Sequence, residues 1–276
     1  MISLHFTLLP KPKRKNYLKS SGVVPLESVD IKLYASIICY PRPYEEELEN
    51  RLKELKNLGV TAIEFVGTGS LHGASVPVLG KGNVGIVVKA YKNDQAVALK
   101  IRRVDADRQD MHHEARMLKK ANLAGVGPWL VAFSENFLLM ELIEGQLFPQ
   151  WLETQNSSFL VKKVLKKILD NCYDLDRAGL DHGELSKAPR HVIIDQRNEP
   201  RIIDFETSSD ARRPANVTAI CQFLFSGGGE VAQIVKKIIG EIDLKLVRST
   251  LGAYKRAQTK ENFSKILFAT LNGNFI

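Results

Sequence analysis

The spacing of hydrophobic residues changes character along this chain. Over residues 76–142 apolar positions alternate with polar ones or form short β-branched runs, which predicts strands, with one helical pattern near residues 107–121. From residue 157 onward apolar residues recur every three or four positions, which predicts helices. This order of strands, helix, strands and then helices predicts an α+β chain.

A separate pattern precedes these segments. Residues 31–40 ("IKLYASIICY") are β-branched and aromatic, which predicts a strand. In "PRPYEEELENRLKELKNLG", a proline and glutamates come first and a glycine last, which predicts a helix. "TAIEFVG" predicts another strand. Residues 1–70 are therefore expected to form an extension with a strand–helix–strand unit, preceded by a basic arm, "PKPKRK", at residues 10–15.

The stretch "VLGKGNVGIVVKAYKNDQAVALKI" carries three glycines in the G-x-G-x-x-G spacing, namely Gly80, Gly82 and Gly85. A dinucleotide-binding fold would begin a helix after the third glycine, whereas here two strands follow around the turn "KNDQ". No G-x-x-x-x-G-K-[ST] sequence is present, which argues against a P-loop. The pattern predicts a glycine-rich β-hairpin whose backbone can lie close over phosphate groups.

A lysine and a glutamate downstream of the hairpin are expected to pair. Lys100 ends the strand "VALK", from which a lysine can reach nucleotide phosphates. In "RQDMHHEARMLKKA", Glu114 shares the buried helical face of Met111, Ala115 and Leu118. A charge on that face needs a partner, and Lys100 is the expected one.

Two further strands are predicted around the turn "SEN", and the second ends in "MELIEG". The extended segment that follows is expected to leave backbone groups free at residues 141–143. Those groups could bind the edge of an adenine, with Met140 behind the ring.

The second half of the chain places acidic residues on a loop and beside it. "SSFLVKKVLKKILDNCYDLDRAG" predicts an amphipathic helix capped by Ser157 or Ser158 and ended by Gly179. The loop "LDHGELSKAPRH" carries Glu184, and two short strands joined by "DQRNEP" are expected to aim Asp204 toward it. Helices are predicted near residues 216–226, 229–240 and 260–271.

Taken in order, "GKGNVGIV", "VALK", the helix glutamate, "MELIEG", "HGEL" and "IIDFE" follow kinase-like spacing. Over about residues 78–209 the chain resembles the protein-kinase-like superfamily, and within it the atypical RIO-type and archaeal RIO-like serine/threonine kinases. The resemblance implies a bilobal protein-kinase-like fold. It has a β-rich N-lobe at 71–142 for nucleotide binding and a reduced helical C-lobe at 143–276 with the catalytic loop and metal site.

The resemblance also implies site residues for ATP and Mg²⁺ or Mn²⁺. The catalytic residues would be Glu184, Lys100 and Asp204, and the metal ligands Asp204, His191 and Glu206. Three residues differ from those of the protein-kinase-like motifs. Glu184 stands at an aspartate position, His191 at an asparagine position and Glu206 at a glycine position. The nucleotide-binding set would be Gly80, Lys81, Gly82, Asn83, Gly85, Val87, Ala98, Lys100, Glu114, Met140, Glu141 and Ile143.

Net charge, cysteine content and the length of apolar runs indicate which binding partners and which cellular compartment to expect. A net charge of +8 and a pI of about 9.3 favour anionic partners such as ATP, phosphoproteins, RNA or a ribosomal surface. Three cysteines without a CxxC pair favour a reduced, cytoplasmic protein without a structural zinc site. No apolar run approaches the roughly 20 residues of a membrane span, so no membrane partner is expected.

Three functions remain open on these residues. The first is an ATP-dependent serine/threonine protein kinase that acts on a protein substrate or on itself. The second is an assembly factor for ribosome or tRNA maturation, gated by ATP binding or slow hydrolysis. The third, a small-molecule kinase of the aminoglycoside or choline type, is disfavoured because the C-terminal part is short and the chain is basic.

Overall fold

The computed structural model describes residues 22–28, 35–67, 69–71, 74–187, 189–226 and 228–271. The predicted basic arm at residues 10–15 lies outside these ranges. The chain divides into two compact units. Unit 1 comprises the described residues of Met1–Ala115 and Trp129–Leu142, and unit 2 those of Arg116–Pro128 and Ile143–Ile276.

Unit 1 is built on an antiparallel sheet, and the strands predicted from the alternating pattern form part of it. Among its described residues the strand order is β1-β2-β6-β7-β9-β8, with β5 pairing β6, while β3 and β4 form a separate pair. The strands are β1 (Val23–Pro25), β2 (Val60–Glu64), β3 (Gly69–Leu71), β4 (Ala74–Val78), β5 (Gly80–Lys81), β6 (Gly85–Lys92), β7 (Gln95–Arg102), β8 (Leu130–Phe133) and β9 (Phe137–Glu141). The chain is therefore a mixed α and β protein with an antiparallel sheet.

The predicted glycine-rich hairpin forms. Strand β5 pairs with β6, where Gly80 lies opposite Val87, and β6 then pairs along its whole length with β7. The turn between β6 and β7 consists of Asn93 and Asp94, whose φ angles are +50° and +63°. Two such residues fit the turn type that matches the right-handed twist of a hairpin.

The two faces of this sheet differ in what they contact. Because side chains alternate along a strand, every second residue points to the same face. One face of β6, β7 and β9 is buried in the hydrophobic core of unit 1, through Ile86, Val88, Ala90, Val97, Leu99, Ile101, Phe137 and Leu139. The opposite face carries Val87, Ala98, Lys100 and Met140, so the candidate nucleotide-binding residues lie away from the core.

The first part of the N-terminal prediction is wrong. Within residues 31–40, Ala35–Ile38 forms a short helix, α1, while residues 31–34 lie outside the described ranges. Ala35, Ile37 and Ile38 are all buried. Four residues are too few for their apolar spacing to distinguish a buried helix from a strand.

The second helix, α2 (Glu45–Asn57), and strand β2 form where they are predicted. Helix α2 carries a buried arginine, Arg51, with no exposed surface. Its guanidinium donates to the carbonyls of Ile38 and Arg102 at 2.8 and 2.6 Å and to Asn136 Oδ1 at 3.1 Å. Its Nε donates to Glu47 at 2.6 Å. One side chain thus ties α1 and α2 to the ends of strands β7 and β9.

Unit 2 is mainly helical and holds one small sheet. Helix α3 (His112–Leu123) contains the boundary between the units. In unit 2, β10 (Gly145–Leu147), β11 (Val192–Asp195) and β12 (Pro200–Ile202) pair antiparallel in that order. The helices are α4 (Phe148–Glu153), α5 (Ser158–Arg177), α6 (Asn216–Cys221), α7 (Glu230–Ile239), α8 (Leu244–Arg256) and α9 (Lys260–Leu271), and a π-helical turn spans Gln222–Ser226.

Most of the unit 2 predictions hold. Ser157 caps α5 by accepting a hydrogen bond from the amide of Leu160, and Gly179 follows the helix with a φ of +65°. Helix α8 was not predicted. Its N-terminal signal is Asp243, whose carboxylate accepts from the amides of Lys245 and Leu246, and only two of its residues are buried.

No helix in the described part of the chain is both long enough and apolar enough to cross a membrane.

Replacing Arg51 is expected to destabilise unit 1. Arg51→Met would leave the carbonyls of Ile38 and Arg102 buried without this donor, which costs about 2–4 kcal/mol for two such groups. The measurement is amide hydrogen exchange of peptides from β2, β6 and β7. Lys53→Met, at an exposed position of the same helix, is the matched control. A change below about 1 kcal/mol in the Arg51 variant would contradict this account.

Candidate functional site

Lys100 and Glu114 form the predicted ion pair in unit 1. Lys100 Nζ lies 2.9 Å from both carboxylate oxygens of Glu114. Each side chain is only 5% exposed. The desolvation penalty of burying two charges can exceed the free energy gained from their attraction. Apolar residues of similar size in their place often give the same stability. The pair is therefore weak as a stabilising device, and it holds an ammonium group in one place.

The third glycine of the motif makes room for this lysine. A Cβ on Gly85 would lie 3.0 Å from Lys100 Cγ and 3.0 Å from the carbonyl oxygen of Ile101. Gly85 lies beside Lys100 because β6 and β7 pair here, with Val87 opposite Lys100. A side chain at Gly85 would therefore require Lys100 or the backbone at Ile101 to shift by a few tenths of an ångström.

The first two glycines have no such internal reason. A Cβ on Gly80 would meet Val87 Cβ at 3.9 Å, and one on Gly82 would meet the carbonyl oxygen of Gly85 at 3.6 Å. Both distances are ordinary van der Waals contacts, and neither glycine has a positive φ. The protein's own packing thus tolerates a side chain at these two positions.

Cross-strand pairing places the apolar candidates beside Lys100. Val87 is opposite Lys100 on β6, and Ala98 precedes Lys100 by two residues on β7. Met140 on β9 is opposite Ala98. Because directly paired residues and residues two apart share a face, these four side chains line one patch of the sheet.

Two other predicted nucleotide-binding residues of the glycine motif, Lys81 and Asn83, are not part of this patch. Lys81 Nζ donates to the Tyr40 hydroxyl at 2.9 Å and lies 5.0 Å from the centre of that ring. This places the lysine against Tyr40, in the turn that follows α1, rather than leaving it extended. Asn83 is exposed at the tip between β5 and β6.

The expectation of free backbone groups at residues 141–143 is wrong for one of them. The amide of Glu141 donates to the carbonyl of Trp129 at 2.8 Å, and the Glu141 carboxylate accepts from the amide of Trp129 at 3.0 Å. Strand β9 therefore remains paired through its last residue, which residue patterns alone do not reveal. Ile143 follows as a half-buried residue of unit 2.

In unit 2, the loop that carries Glu184 is fixed from beneath by Asn216. This buried side chain accepts from the amide of His182 at 2.8 Å and donates to the carbonyl of Leu180 at 2.7 Å. It also donates to Asp176 at 2.8 Å. Asn216 thus binds one backbone amide and one backbone carbonyl of the loop.

Asp176 is the buried carboxylate that orients Asn216 through hydrogen bonds. Its carboxylate accepts from the amides of Asn216 and Val217 and from the hydroxyl of Tyr254 at 2.9, 3.3 and 2.9 Å. Burial raises the pKa of Asp176, and these hydrogen bonds oppose that rise because they favour the charged form. Helices α5, α6 and α8 therefore meet at one buried carboxylate.

A second contact fixes the other side of the loop. Asp181 exchanges backbone hydrogen bonds with Ser209 at 2.9 and 2.8 Å. The Asp181 carboxylate accepts from Arg212 Nε at 2.8 Å. Gly183, with a φ of +91°, turns tightly here, and a Cβ on it would lie 2.6 Å from a nitrogen of Arg212. The loop is thereby bound to the segment that follows Asp204.

His182 links the loop to the Asp204 turn from inside. Its Nε2 lies 3.0 Å from the carbonyl oxygen of Ile203, and its ring packs edge-on against Phe205 at 5.2 Å. Burial lowers the pKa of His182 to about 4, so the ring is neutral at pH 7. The neutral ring donates from Nε2 and acts as a structural support.

Asp204 adopts a backbone conformation that is unusual for a non-glycine residue. Its φ is +70°. The amide of Ile203 donates to the carbonyl of His191 at 3.0 Å, so Asp204 begins its turn beside His191. A left-handed residue costs free energy, on the order of 1 kcal/mol, and such residues cluster at functional sites.

Glu184, His191 and Asp204 come together as one cluster. Each offers a ligand atom, and these atoms lie within 4.8 Å of one another. His191 Nε2 lies 3.2 Å from Glu184 Oε2, and His191 Nδ1 lies 3.8 Å from Asp204 Oδ2. A carboxylate oxygen of Glu206 also lies within 4.8 Å of one on Asp204. Nitrogen and oxygen donors at these separations could hold a divalent cation.

The sequence did not predict several residues that support the loop of unit 2 and the helices of unit 1. Asn216, Asp176 and Arg51 act through long-range contacts, which residue spacing does not encode. The available signal for Asn216 was a polar residue at the first position of a predicted helix. For Asp176 it was an acidic residue on the buried face of an amphipathic helix.

No protein-family model matches this chain, and no curated protein matches its sequence.

Removing the Asn216 side chain is expected to free the loop. Asn216→Ala leaves the His182 amide and the Leu180 carbonyl without their buried partner, which costs about 2–3 kcal/mol. Peptides covering residues 180–184 should exchange amide hydrogens faster. Asn262→Ala, which removes a half-buried amide bonded to the Ala257 carbonyl, is the control. Unchanged exchange of the loop in Asn216→Ala would contradict the support assigned to this residue.

Proposed function

We propose that this protein is an ATP-dependent phosphotransferase of the protein-kinase-like, RIO-like type, acting on serine or threonine hydroxyls of a protein, including its own. Each unit supports the proposal through its own residues. Unit 1 supplies a surface suited to a nucleoside triphosphate. Unit 2 supplies a supported loop with carboxylates suited to a metal ion and an acceptor hydroxyl.

The observation that carries the proposal is the buried pair between Lys100 and Glu114. It lies under a glycine-rich hairpin, on the face of the sheet opposite the hydrophobic core. A lysine held there is suited to contact the α- and β-phosphates. The open surroundings of Gly80 and Gly82 support close backbone approach by a ligand, since the protein itself needs no glycine at either position.

The adenine is assigned to the apolar patch beside this lysine. Val87, Ala98 and Met140 share its face of the sheet. Flat apolar surface with few polar groups is typical of sites for a planar base. The Glu141 amide is already bonded within unit 1, so it is not assigned to the base.

In unit 2, Asp204 and His191 are assigned as metal ligands, with Glu206 close to Asp204. The unpaired Nδ1 of His191 supports this fit, because its surface is buried and it has no hydrogen-bond partner among the described residues. A divalent cation would neutralise charge on the phosphate oxygens during transfer. Glu184 Oε2 faces His191, which leaves Oε1 for the acceptor.

In the proposed reaction, the assigned residues have the following roles. The bond between the γ-phosphorus and the β,γ-bridging oxygen breaks, and a bond forms between that phosphorus and the acceptor oxygen. Glu184 Oε1 accepts the hydroxyl proton. Lys100 stays bound to phosphate oxygens of the leaving diphosphate, because Glu114 fixes its position. The products are ADP and a phosphorylated protein.

The experiment is transfer of label from γ-labelled ATP to the purified full-length protein, with Mg²⁺ and separately with Mn²⁺. Wild type should become labelled. Lys100→Ala and Asp204→Ala should each reduce transfer at least about 100-fold, because each removes a group that contacts charge in the transition state. The controls are Lys119→Ala and Asp107→Asn, at exposed positions.

A folding defect must be separated from a loss of chemistry. The double variant Lys100→Met with Glu114→Gln removes both charges and leaves no unpaired one, so it should fold and still fail to transfer. Label that survives in Asp204→Ala would overturn the proposal. Binding of ATP by wild type without label in either metal would favour the nucleotide-gated assembly factor.

A further inference from the structure

The imidazole of His191 lies between two carboxylates that belong to different parts of unit 2. Its Nε2 faces Glu184 Oε2 at 3.2 Å, and its Nδ1 faces Asp204 Oδ2 at 3.8 Å. The side chain is 13% exposed, whereas those of Glu184 and Asp204 are 42% and 32% exposed. The ring is thus the enclosed member of the cluster.

The two ring nitrogens differ in their partners. The Nε2 contact is short enough for an N–H to donate to Glu184. Nδ1 is buried and has no hydrogen-bond partner among the described residues. A neutral imidazole has one N–H and one lone pair. If Nε2 carries the proton, the lone pair on Nδ1 points into the space beside Asp204.

We propose that His191 Nδ1 and Asp204 Oδ2 bind one divalent first-row transition ion, Mn²⁺ in preference to Mg²⁺, and that Glu184 acts as a positioning residue for the imidazole. The proposal rests on the proposed function and specifies the cation of that site. A histidine that binds a metal usually donates its other N–H to a carboxylate, which fixes the tautomer. Glu184 Oε2 lies 3.2 Å from His191 Nε2 and is the carboxylate oxygen that would accept this N–H.

The donor chemistry favours the transition ion. Mg²⁺ prefers oxygen ligands in a near-ideal octahedron and dehydrates reluctantly. Mn²⁺ also favours oxygen ligands, but it belongs to the first-row series that binds mixed nitrogen and oxygen sites, so one imidazole favours it over Mg²⁺. Two ligands at about 2.1 Å from one ion lie roughly 3–3.5 Å apart, so the 3.8 Å gap needs to close by about 0.3–0.8 Å. A small side-chain rotation at the half-exposed Asp204 is enough.

The proposal also explains why position 184 is a glutamate. An aspartate is one methylene shorter, about 1.5 Å, and would not reach Nε2 from the same backbone position. The longer side chain contacts the ring with one oxygen and leaves the other exposed to an acceptor. His191 and Glu184, which depart from the kinase-like pattern separately, thus act as a pair.

The test measures the metal rather than catalysis. Full-length protein is loaded with Mn²⁺ without nucleotide, and pulsed electron paramagnetic resonance detects nitrogen coupled to the ion. Protein labelled with ¹⁵N only at histidine should show ¹⁵N coupling, which requires no variant to fold. His191→Asn should abolish that coupling. The Mg²⁺ concentration that displaces half of the bound Mn²⁺ should fall at least about tenfold in this variant.

Two further variants complete the design. Glu184→Asp should weaken Mn²⁺ binding about tenfold, although it restores the usual residue of the motif, because the ring loses its orienting partner. His112→Asn is the matched control, since His112 is exposed in unit 1. It should change neither the coupling nor the displacement by Mg²⁺.

The outcomes separate this inference from the proposed function. No Mn²⁺ binding, absent histidine coupling with Mn²⁺ bound, or unchanged displacement in His191→Asn would each overturn the inference, even if label transfer with Mg²⁺ succeeds. Unchanged Mn²⁺ affinity in Glu184→Asp would overturn the role of Glu184. Histidine coupling without label transfer in any metal would support the metal site and count against the phosphotransferase.

Discussion

A buried charge on the central strand of the sheet is the constraint around which unit 1 is organised. Lys100 points away from the hydrophobic core, and Glu114 holds it with both carboxylate oxygens. This geometry requires helix α3 to begin beside β7, and a side chain at Gly85 would crowd Lys100. The hairpin, the strand and the start of the helix are therefore fixed together by one ion pair.

Unit 2 uses the opposite arrangement, in which buried polar groups support exposed ones. Asp176 and Asn216 are enclosed and satisfied by several hydrogen bonds each, and they hold the backbone at residues 180–182. Glu184 and Asp204 lie partly exposed above this support. A satisfied buried network is rigid because breaking any member leaves another unpaired. Such rigidity is what a site needs to hold reacting groups in position.

The part of the fold that short-range patterns encode was predictable. Alternation gave β6, β7 and β9, a serine cap gave the start of α5, and Glu114 on a buried helical face gave the pair with Lys100. These inferences depend on residues that are close in the sequence, at most 14 positions apart for Lys100 and Glu114, where periodicity and capping act directly.

The rest depends on contacts that are distant in the sequence. The apolar run at residues 35–38 forms a helix, since its packing rather than its periodicity decides its conformation. Helix α8 buries only Val247 and Tyr254, and residue spacing did not predict it. The bond from the Glu141 amide to Trp129, the supports at Asn216 and Arg51, and the position of His191 between two carboxylates all follow from tertiary packing.

The central claim is that the hairpin and Lys100 in unit 1 bind the phosphates of ATP. Hydrogen exchange of the full-length protein, with saturating ATP, with AMP and without nucleotide, tests it most directly. ATP is expected to slow exchange at residues 80–88, and AMP, which lacks the β- and γ-phosphates, is expected to slow it much less. Equal exchange at residues 80–88 in all three conditions would contradict the claim.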